Sequence, residues 1–66
     1  MTIIELNNFM RAKGLASSGG EAKYLIRSEK VKVNNQIETR LRRKLIGGDK
    51  VEFDGKVYEV EKETFK

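Results

Sequence analysis

The sequence contains no cysteine, histidine, proline or tryptophan among its 66 residues. Without cysteine or histidine, the chain cannot form disulfides, thiolate nucleophiles, imidazole acid–base catalysts or zinc sites of the usual kind. A chain of this length forms one domain and buries only about 60% of the surface that its unfolded state exposes. Its stability therefore has to come from close packing and from strong local folding signals.

Long apolar runs are also missing. No stretch approaches the roughly 18 residues that a membrane-spanning helix needs, and the first residues lack the basic and then apolar layout of a signal peptide. We therefore expect one cytoplasmic domain over residues 1–66, with its core at about 3–60 and a disordered tail at 61–66. We expect no cofactor, no small-molecule substrate and no membrane contact.

Positive charge is what the sequence has in excess, and it is concentrated in the middle of the chain. Residues 11–44 contain ten Lys or Arg and three acidic residues, a net charge of +7, whereas residues 45–66 carry −2. A small domain that holds its positive charge in one continuous segment is suited to a polyanionic partner.

The first part of the chain predicts a helix. Thr2 and Glu5 have the spacing of a capping box, in which Thr2 caps the helix and Glu5 reaches back to its amide. Gly14 is well placed to end the helix in the left-handed conformation, so we expect a helix from about Ile3 to Lys13. Lys13 then lies in the last turn, where either the helix dipole or a polyanion contact explains its charge. The apolar residues at helical spacing are Ile3, Leu6 and Met10.

A second helix is predicted by a second capping box, formed by Ser18 and Glu21. We expect this helix over about residues 19–28. Lys23 and Arg27 are four residues apart and therefore share one face. The two glycines at its start leave backbone N–H groups uncovered, which suits either phosphate docking or a merely flexible helix start.

The next segment has the alternation and the turn residues of a hairpin. Residues 31–34 alternate apolar and polar side chains, which is typical of a half-buried strand. Asn34-Asn35 suits a two-residue turn, because asparagine tolerates positive φ. The returning strand is expected at 36–39, followed by a basic loop at 40–44.

A C-terminal hairpin follows a turn at residues 47–49. Residues 50–53 predict a strand, Asp54-Gly55 a tight type I′ turn, and residues 56–60 the returning strand. The hairpin carries several acidic residues, so we expect it to complete the core. The predicted fold class is α+β, with two N-terminal helices packed on a small, mostly antiparallel sheet that ends in this hairpin.

Four segments resemble a known family: GLASSGGEAKYLI, VKVNNQIETR, RRKL and GGDKVEF. In this order and spacing they are similar to the S-four-type RNA-binding domain, or αL motif, over about residues 4–60, and the chain resembles small stand-alone bacterial members. The resemblance implies a non-catalytic domain that binds structured RNA, either ribosomal or transfer RNA, in association with the ribosome.

The resemblance also implies which residues contact RNA, at the start of the second helix and in the loop after the first hairpin strand. Arg42 and Arg43 are the strongest candidates, because a guanidinium can bind phosphate through two hydrogen bonds. Two positions depart from the family pattern: Gly19 stands where many relatives have arginine, and Asn35 where glycine is usual. With Lys13, the candidate RNA-binding residues are Lys13, Ser18, Lys23, Arg27, Lys32, Asn34, Arg40, Arg42, Arg43 and Lys44.

The expected mode of recognition follows from the nature of structured RNA. Its base edges lie in a deep, narrow major groove, so we expect contacts to phosphates and 2′-hydroxyl groups. Tyr24 is the one candidate for stacking on a base, and we expect it at the edge of the core instead. With so few aromatic side chains available for stacking, sequence-specific binding of single-stranded RNA is disfavoured.

Three other functions fit parts of the sequence. An enzyme is excluded, because Glu21, Glu29 and Glu38 have no histidine, cysteine or metal constellation beside them. A DNA-binding helix–turn–helix is disfavoured, since the basic residues continue beyond the second helix into residues 40–44. A protein-interaction module that binds an acidic partner in a ribosome-associated complex stays open as the alternative.

Overall fold

Two helices and six short strands make up residues 3–61, the part of the chain that this computed structural model describes. Both helices lie between the first strand and the second, and the remaining strands follow. This arrangement confirms the predicted α+β fold class. In chain order the elements are β1 (Ile3–Glu5), α1 (Leu6–Ala12), α2 (Gly19–Arg27), β2 (Val31–Val33), β3 (Gln36–Ile37), β4 (Lys44–Ile46), β5 (Lys50–Phe53) and β6 (Lys56–Glu59).

The main sheet has four antiparallel strands in the order β3-β2-β5-β6. Tight turns close its two hairpins: φ is 53° at Asn34 and 70° at Asn35, and it is 56° at Asp54 and 78° at Gly55. Positive φ at both central residues is what a type I′ turn requires. Both predicted two-residue turns, and the C-terminal hairpin, are therefore confirmed.

Strand β1 takes the place of the predicted start of the first helix. The helix predicted from about Ile3 is wrong for residues 3–5, which pair with β4 in a separate two-stranded antiparallel sheet. The pairing places Ile4 opposite Leu45, whose side chain is completely buried. Two successive isoleucines favour a strand, since β-branched residues pack well on a pleated surface. The predicted cap, Thr2, lies outside the described residues.

Helix α1 begins at Leu6 without a side-chain cap. A neighbouring segment satisfies its first amides: the amide of Leu6 donates to the carbonyl oxygen of Arg43 at 2.9 Å, and that of Asn7 to Leu41 at 3.0 Å. These bonds replace a cap, and they attach the basic segment to the start of α1. Just beyond the other end, Gly14 has a φ of 75°, which confirms the predicted stop.

The basic segment 40–44 is not entirely the loop that the sequence predicts. Its last residue, Lys44, begins strand β4 and lies opposite Glu5 of β1. Leu45 is buried, whereas its neighbours Lys44 and Ile46 are exposed, and this alternation is typical of a strand. The tertiary pairing with β1, rather than a strong local signal, makes this a strand.

Helix α2 begins as predicted. Ser18 is its N-cap, and the Oγ of Ser18 accepts a hydrogen bond from the amide of Glu21 at 3.1 Å. The Glu21 carboxylate turns further back than the capping box predicts, and it accepts from the amide and the hydroxyl of Ser17 at 2.6 and 2.8 Å. These two bonds, the amide bond foremost, lower the pKa of Glu21. The helix ends at Arg27, one residue earlier than expected.

The core lies between the two helices and the inner face of the main sheet. Strand β2 shows the alternation that builds this face, because Val31 and Val33 are buried while Lys32 is exposed. Phe53 and Tyr58, from the C-terminal hairpin, are half-buried and pack against the core as predicted. The buried apolar residues are Leu6, Phe9, Met10, Ala16, Ala22, Ile26, Val31, Val33, Leu45, Val51 and Val60.

Two further expectations concern the C-terminal tail and membrane-spanning helices. The predicted disordered tail at 61–66 lies outside the described residues, except for Glu61. Within residues 3–61, neither helix has the length and apolar content that crossing a membrane requires.

Candidate nucleic-acid interface

An open groove lies where the end of α2 faces the segment that follows β3. It has a volume of about 600 Å³ and is lined by Arg27, Thr39, Arg40, Leu41 and Arg42. We call it the arginine groove. Three of its five lining residues carry a guanidinium group, and these three come from two separate parts of the chain. The fold therefore brings the charges of Arg27, Arg40 and Arg42 together on one surface.

A buried carboxylate holds Arg40 and the nearby Arg43 in place. The Oε2 atom of Glu38 accepts hydrogen bonds from the Nε atom of Arg40 at 2.9 Å and from its amide at 3.0 Å. The Oε1 atom accepts from Nη2 of Arg40 at 3.2 Å and from Nη1 of Arg43 at 2.7 Å. We call these three residues the Glu38 cluster. One carboxylate thus holds the guanidinium of Arg40, which lines the groove, and that of Arg43 beside it.

The strand register explains why Glu38 is buried. The Asn34-Asn35 turn pairs Lys32 with Ile37, and the amide of Glu38 donates to the carbonyl oxygen of Val31 at 3.0 Å. Glu38 therefore shares the inward direction of Val31, and its side chain is only 9% exposed.

Electrostatics keep this buried carboxylate charged. The hydrogen bond from the Arg40 side chain, and then those from the Arg40 amide and from Arg43, outweigh the cost of burial and lower the pKa of Glu38 to about 2. The same bond raises the pKa of Arg40 above its usual value. The Arg40 side chain is nevertheless 72% exposed, so its guanidinium can also meet a ligand.

Arg42 is held by a second carboxylate, from the other end of the chain. Its Nε atom donates to Oε2 of Glu5 in β1 at 3.1 Å, across 37 positions of sequence. The Arg42 side chain is 79% exposed and that of Glu5 is 22% exposed. Strand β1, which the sequence did not predict, therefore positions one wall of the arginine groove.

Helix α2 contributes cations of a different kind. Lys23 and Arg27 lie four residues apart on its exposed surface, as predicted. Within residues 3–61, no carboxylate lies at ion-pair distance from either of them. Their charge is therefore not neutralised by a described side chain.

Ser18 and Asn34, two of the predicted site residues, have structural partners of their own. Ser18 caps α2, with the Glu21 carboxylate close by at the start of the helix. The Asn34 amide nitrogen donates to Oδ1 of Asp49 at 3.2 Å, and its oxygen accepts from the amide of Lys50 at 3.0 Å. An RNA contact at these two positions stays a prediction.

The remaining predicted lysines lie on other surfaces. Lys13 is the C-cap residue just after α1, and its Nζ atom is 5.7 Å from the centre of the Phe9 ring. Lys32 points to the outer face of the main sheet, with Ile37 and Glu52 as its cross-strand partners. Neither lysine lines the arginine groove. The predicted residues that the groove and the Glu38 cluster bring together are Arg27, Arg40, Arg42 and Arg43.

For three residues that matter here, the sequence predicts a different role or position from the one that the structure shows. The sequence suggests Glu38 only as an acid or base and Glu5 only as part of a helix cap, whereas Glu38 holds two arginines and Glu5 holds one. For Glu38 a signal existed, since a two-residue turn at Asn34-Asn35 places it beside Val31, on the buried face. The expectation that Tyr24 lies at the core edge is wrong, because 64% of this residue is exposed. Among residues 3–61, no three acidic side chains are grouped so that they could hold a metal ion.

The comparison with known proteins agrees with the resemblance. Residues 1–61 match the family described as the S4 domain. The chain is 38% identical over 52 residues to the Escherichia coli protein named "Putative RNA-binding protein YbcJ", which covers 79% of this chain and 74% of that protein. It is also 38% identical over 53 residues to the Bacillus subtilis protein named "Probable ribosome maturation protein RlbA". This match covers 80% of this chain and 75% of that protein. The chain therefore belongs to the S4 domain family, a family of non-catalytic RNA-binding domains.

Proposed function

We propose that this protein binds structured RNA, without catalysing a reaction, by holding phosphates in the arginine groove. The observation that carries the proposal is the convergence of Arg27, Arg40 and Arg42 on one open groove. A guanidinium offers a planar fork of N–H donors that matches two phosphate oxygens. Three such groups side by side suit a stretch of polyanion better than a single small ligand.

The acidic residues of this surface support the proposal rather than oppose it. Glu38 engages Arg40 and Arg43, and Glu5 engages Arg42. Within residues 3–61 these two carboxylates therefore face three arginines, and Arg27 adds a fourth charge that has no acidic partner there. The surface keeps a net positive charge. Because the carboxylates hold the long side chains in place, less rotamer freedom is lost when a phosphate binds.

The names of the two relatives support ribosomal RNA as the ligand. The name of YbcJ describes an RNA-binding protein, and the name of RlbA describes a protein of ribosome maturation. We infer that the ligand is ribosomal rather than transfer RNA, and that the protein acts in the cytoplasm. A-form helices are recognised largely by shape, phosphates and 2′-hydroxyl groups, which a groove lined by arginines is able to contact. Further contacts from Lys13, Ser18, Lys23, Lys32, Asn34 and Lys44 stay predictions.

The experiment is a salt series of binding to a structured ribosomal RNA fragment. The parent is compared with Arg27→Gln/Arg42→Gln, and with Lys50→Gln/Lys56→Gln as a control that removes the same charge from the C-terminal hairpin. All four side chains are exposed, so both variants should fold. Each lost phosphate contact should flatten the slope of log affinity against log salt by about 0.7–0.9.

We expect the arginine pair to weaken binding and to flatten the slope by about 1.4–1.8, while the control pair leaves the slope nearly unchanged. Equal effects of the two pairs would mean that the charge acts nonspecifically, and the groove would lose its role. If the parent binds no RNA but co-purifies with one acidic protein after RNase treatment, the protein-interaction alternative is correct instead.

A further inference from the structure

Tyr24 stands apart from the other aromatic side chains among residues 3–61. It is 64% exposed, whereas Phe9 is buried and Phe53 and Tyr58 are half-buried against the core. A tyrosine ring carries a large apolar area that folded proteins usually cover at least in part. Packing within the described chain gives no reason for this residue type at this position.

The residues around Tyr24 leave space beside its ring. Helical side chains lean toward the N-terminus, so the side chain of Tyr24 is directed toward the turn that contains Gly20. Gly20 has no side chain, and a Cβ atom placed there would meet only Oγ of Ser18, at 3.9 Å. Glu21 is the other neighbour in this turn, and its carboxylate is directed to Ser17. A flat group could therefore approach the ring without displacing a large side chain.

Tyr24 is also close to the proposed phosphate site. Arg27, three residues further along α2, lines the arginine groove, and residues at this spacing have Cβ atoms about 5–6 Å apart. Among residues 3–61, the cation that lies over an aromatic ring is Lys13, over Phe9. Among residues 3–61, the face of the Tyr24 ring is therefore not covered by a cation, and Tyr24 lies about one helical turn from Arg27.

We propose, on the basis of the RNA binding proposed above, that Tyr24 stacks on an unpaired base of an RNA whose adjacent phosphates lie in the arginine groove. Aromatic side chains stack on any base, because every base has a π-face. Bases inside a continuous helix are already stacked on their neighbours, whereas bulged and looped-out bases are accessible. The ligand class is therefore structured RNA with a bulged or looped-out base beside a helical segment.

The test uses two RNA hairpins with the same stem, one fully paired and one with a single bulged 2-aminopurine, whose fluorescence falls when it stacks. The parent should bind the bulged hairpin more tightly and quench its fluorescence. Tyr24→Ala should bind the bulged hairpin roughly 5- to 150-fold more weakly and bind the paired hairpin as the parent does. Tyr24→Phe, which keeps the ring, should retain both the preference and the quenching.

Two further readouts separate stacking from a structural role. Tyr24→Ala should leave the salt slope unchanged, because it removes no phosphate contact. Val57→Ala is the matched control, since Val57 is 60% exposed on the outer face of the main sheet, and it should bind both hairpins as the parent does. Circular dichroism checks that each variant is folded.

The outcomes are distinguishable. If the parent binds the two hairpins equally, or if Tyr24→Ala weakens both alike, the stacking role of Tyr24 is refuted while RNA binding stands. If the parent binds neither hairpin, nor the ribosomal fragment of the salt series, the proposed function and the stacking role both fail.

Discussion

Replacing Glu38 by glutamine tests whether the Glu38 cluster stabilises the fold. The change keeps the shape of the side chain and removes its charge, so Arg40 and Arg43 lose their common carboxylate. The pKa of Glu38 falls from 4.5 to about 2 in the folded state. With 1.36 kcal/mol for each pKa unit, this shift corresponds to at most about 3 kcal/mol of stabilisation.

The expected loss is smaller than this limit. The Arg40 side chain is 72% exposed, and solvent screening weakens the part of the attraction that comes from it. Arg43 is 30% exposed, so its lost partner is less easily replaced by water. We therefore expect Glu38→Gln to lower the free energy of unfolding by about 1–2 kcal/mol near neutral pH.

The effect of pH has a definite sign. A carboxylate whose pKa is lowered on folding contributes stability that is fully present above its unfolded pKa and is lost as pH falls toward its folded pKa. The difference between parent and Glu38→Gln should therefore shrink between about pH 4.5 and about pH 2. Urea unfolding followed by circular dichroism at several pH values measures this difference.

A surface carboxylate provides the control. Glu59 is exposed on β6, so Glu59→Gln should change the free energy of unfolding by no more than about 0.5 kcal/mol. If Glu38→Gln costs no more than this control, or if its cost is the same at low pH, the Glu38 cluster does not stabilise the fold in the way described.

Two further changes test local folding signals. Ser18→Ala removes the cap of α2 and should lower the free energy of unfolding, measured by urea unfolding, by about 1 kcal/mol. If this free energy does not change, the cap bond is not formed in solution. Leu45→Ala removes a completely buried side chain and should cost about 2–5 kcal/mol. A cost below about 1 kcal/mol in the same measurement would show that the pairing of β1 with β4 contributes little to the core.

Local signals predicted most of the fold. The cap at Ser18, the alternation in β2 and the turn residues at Asn34-Asn35 and Asp54-Gly55 each determine a conformation within a few residues. Strands β1 and β4 could not be predicted in this way, because each is a strand only through its pairing with the other. The capping-box spacing of Thr2 and Glu5 even favours a helix, and the distant partner Leu45 overrides it.

The sequence predicts which basic residues form the candidate site, but not how carboxylates hold them in place. The basic residues were recognised from their charge, and the family resemblance selected among them. Their partners depend on the fold, since Glu5 reaches Arg42 only through the pairing of β1 and Glu38 is buried only through the strand register. The exposure of Tyr24 depends on how α2 rotates against the core, and its neighbour Leu25 covers the core edge in its place.

The contrast between the two tyrosines gives the protein two separate optical reporters. The chain has no tryptophan, so Tyr24 and Tyr58 are the residues that dominate its intrinsic fluorescence. Tyr58 is half-buried against the core, and its emission should follow unfolding, whereas the exposed ring of Tyr24 should respond to a ligand on α2. With Tyr24→Phe and Tyr58→Phe, the two signals can be separated without attaching a label.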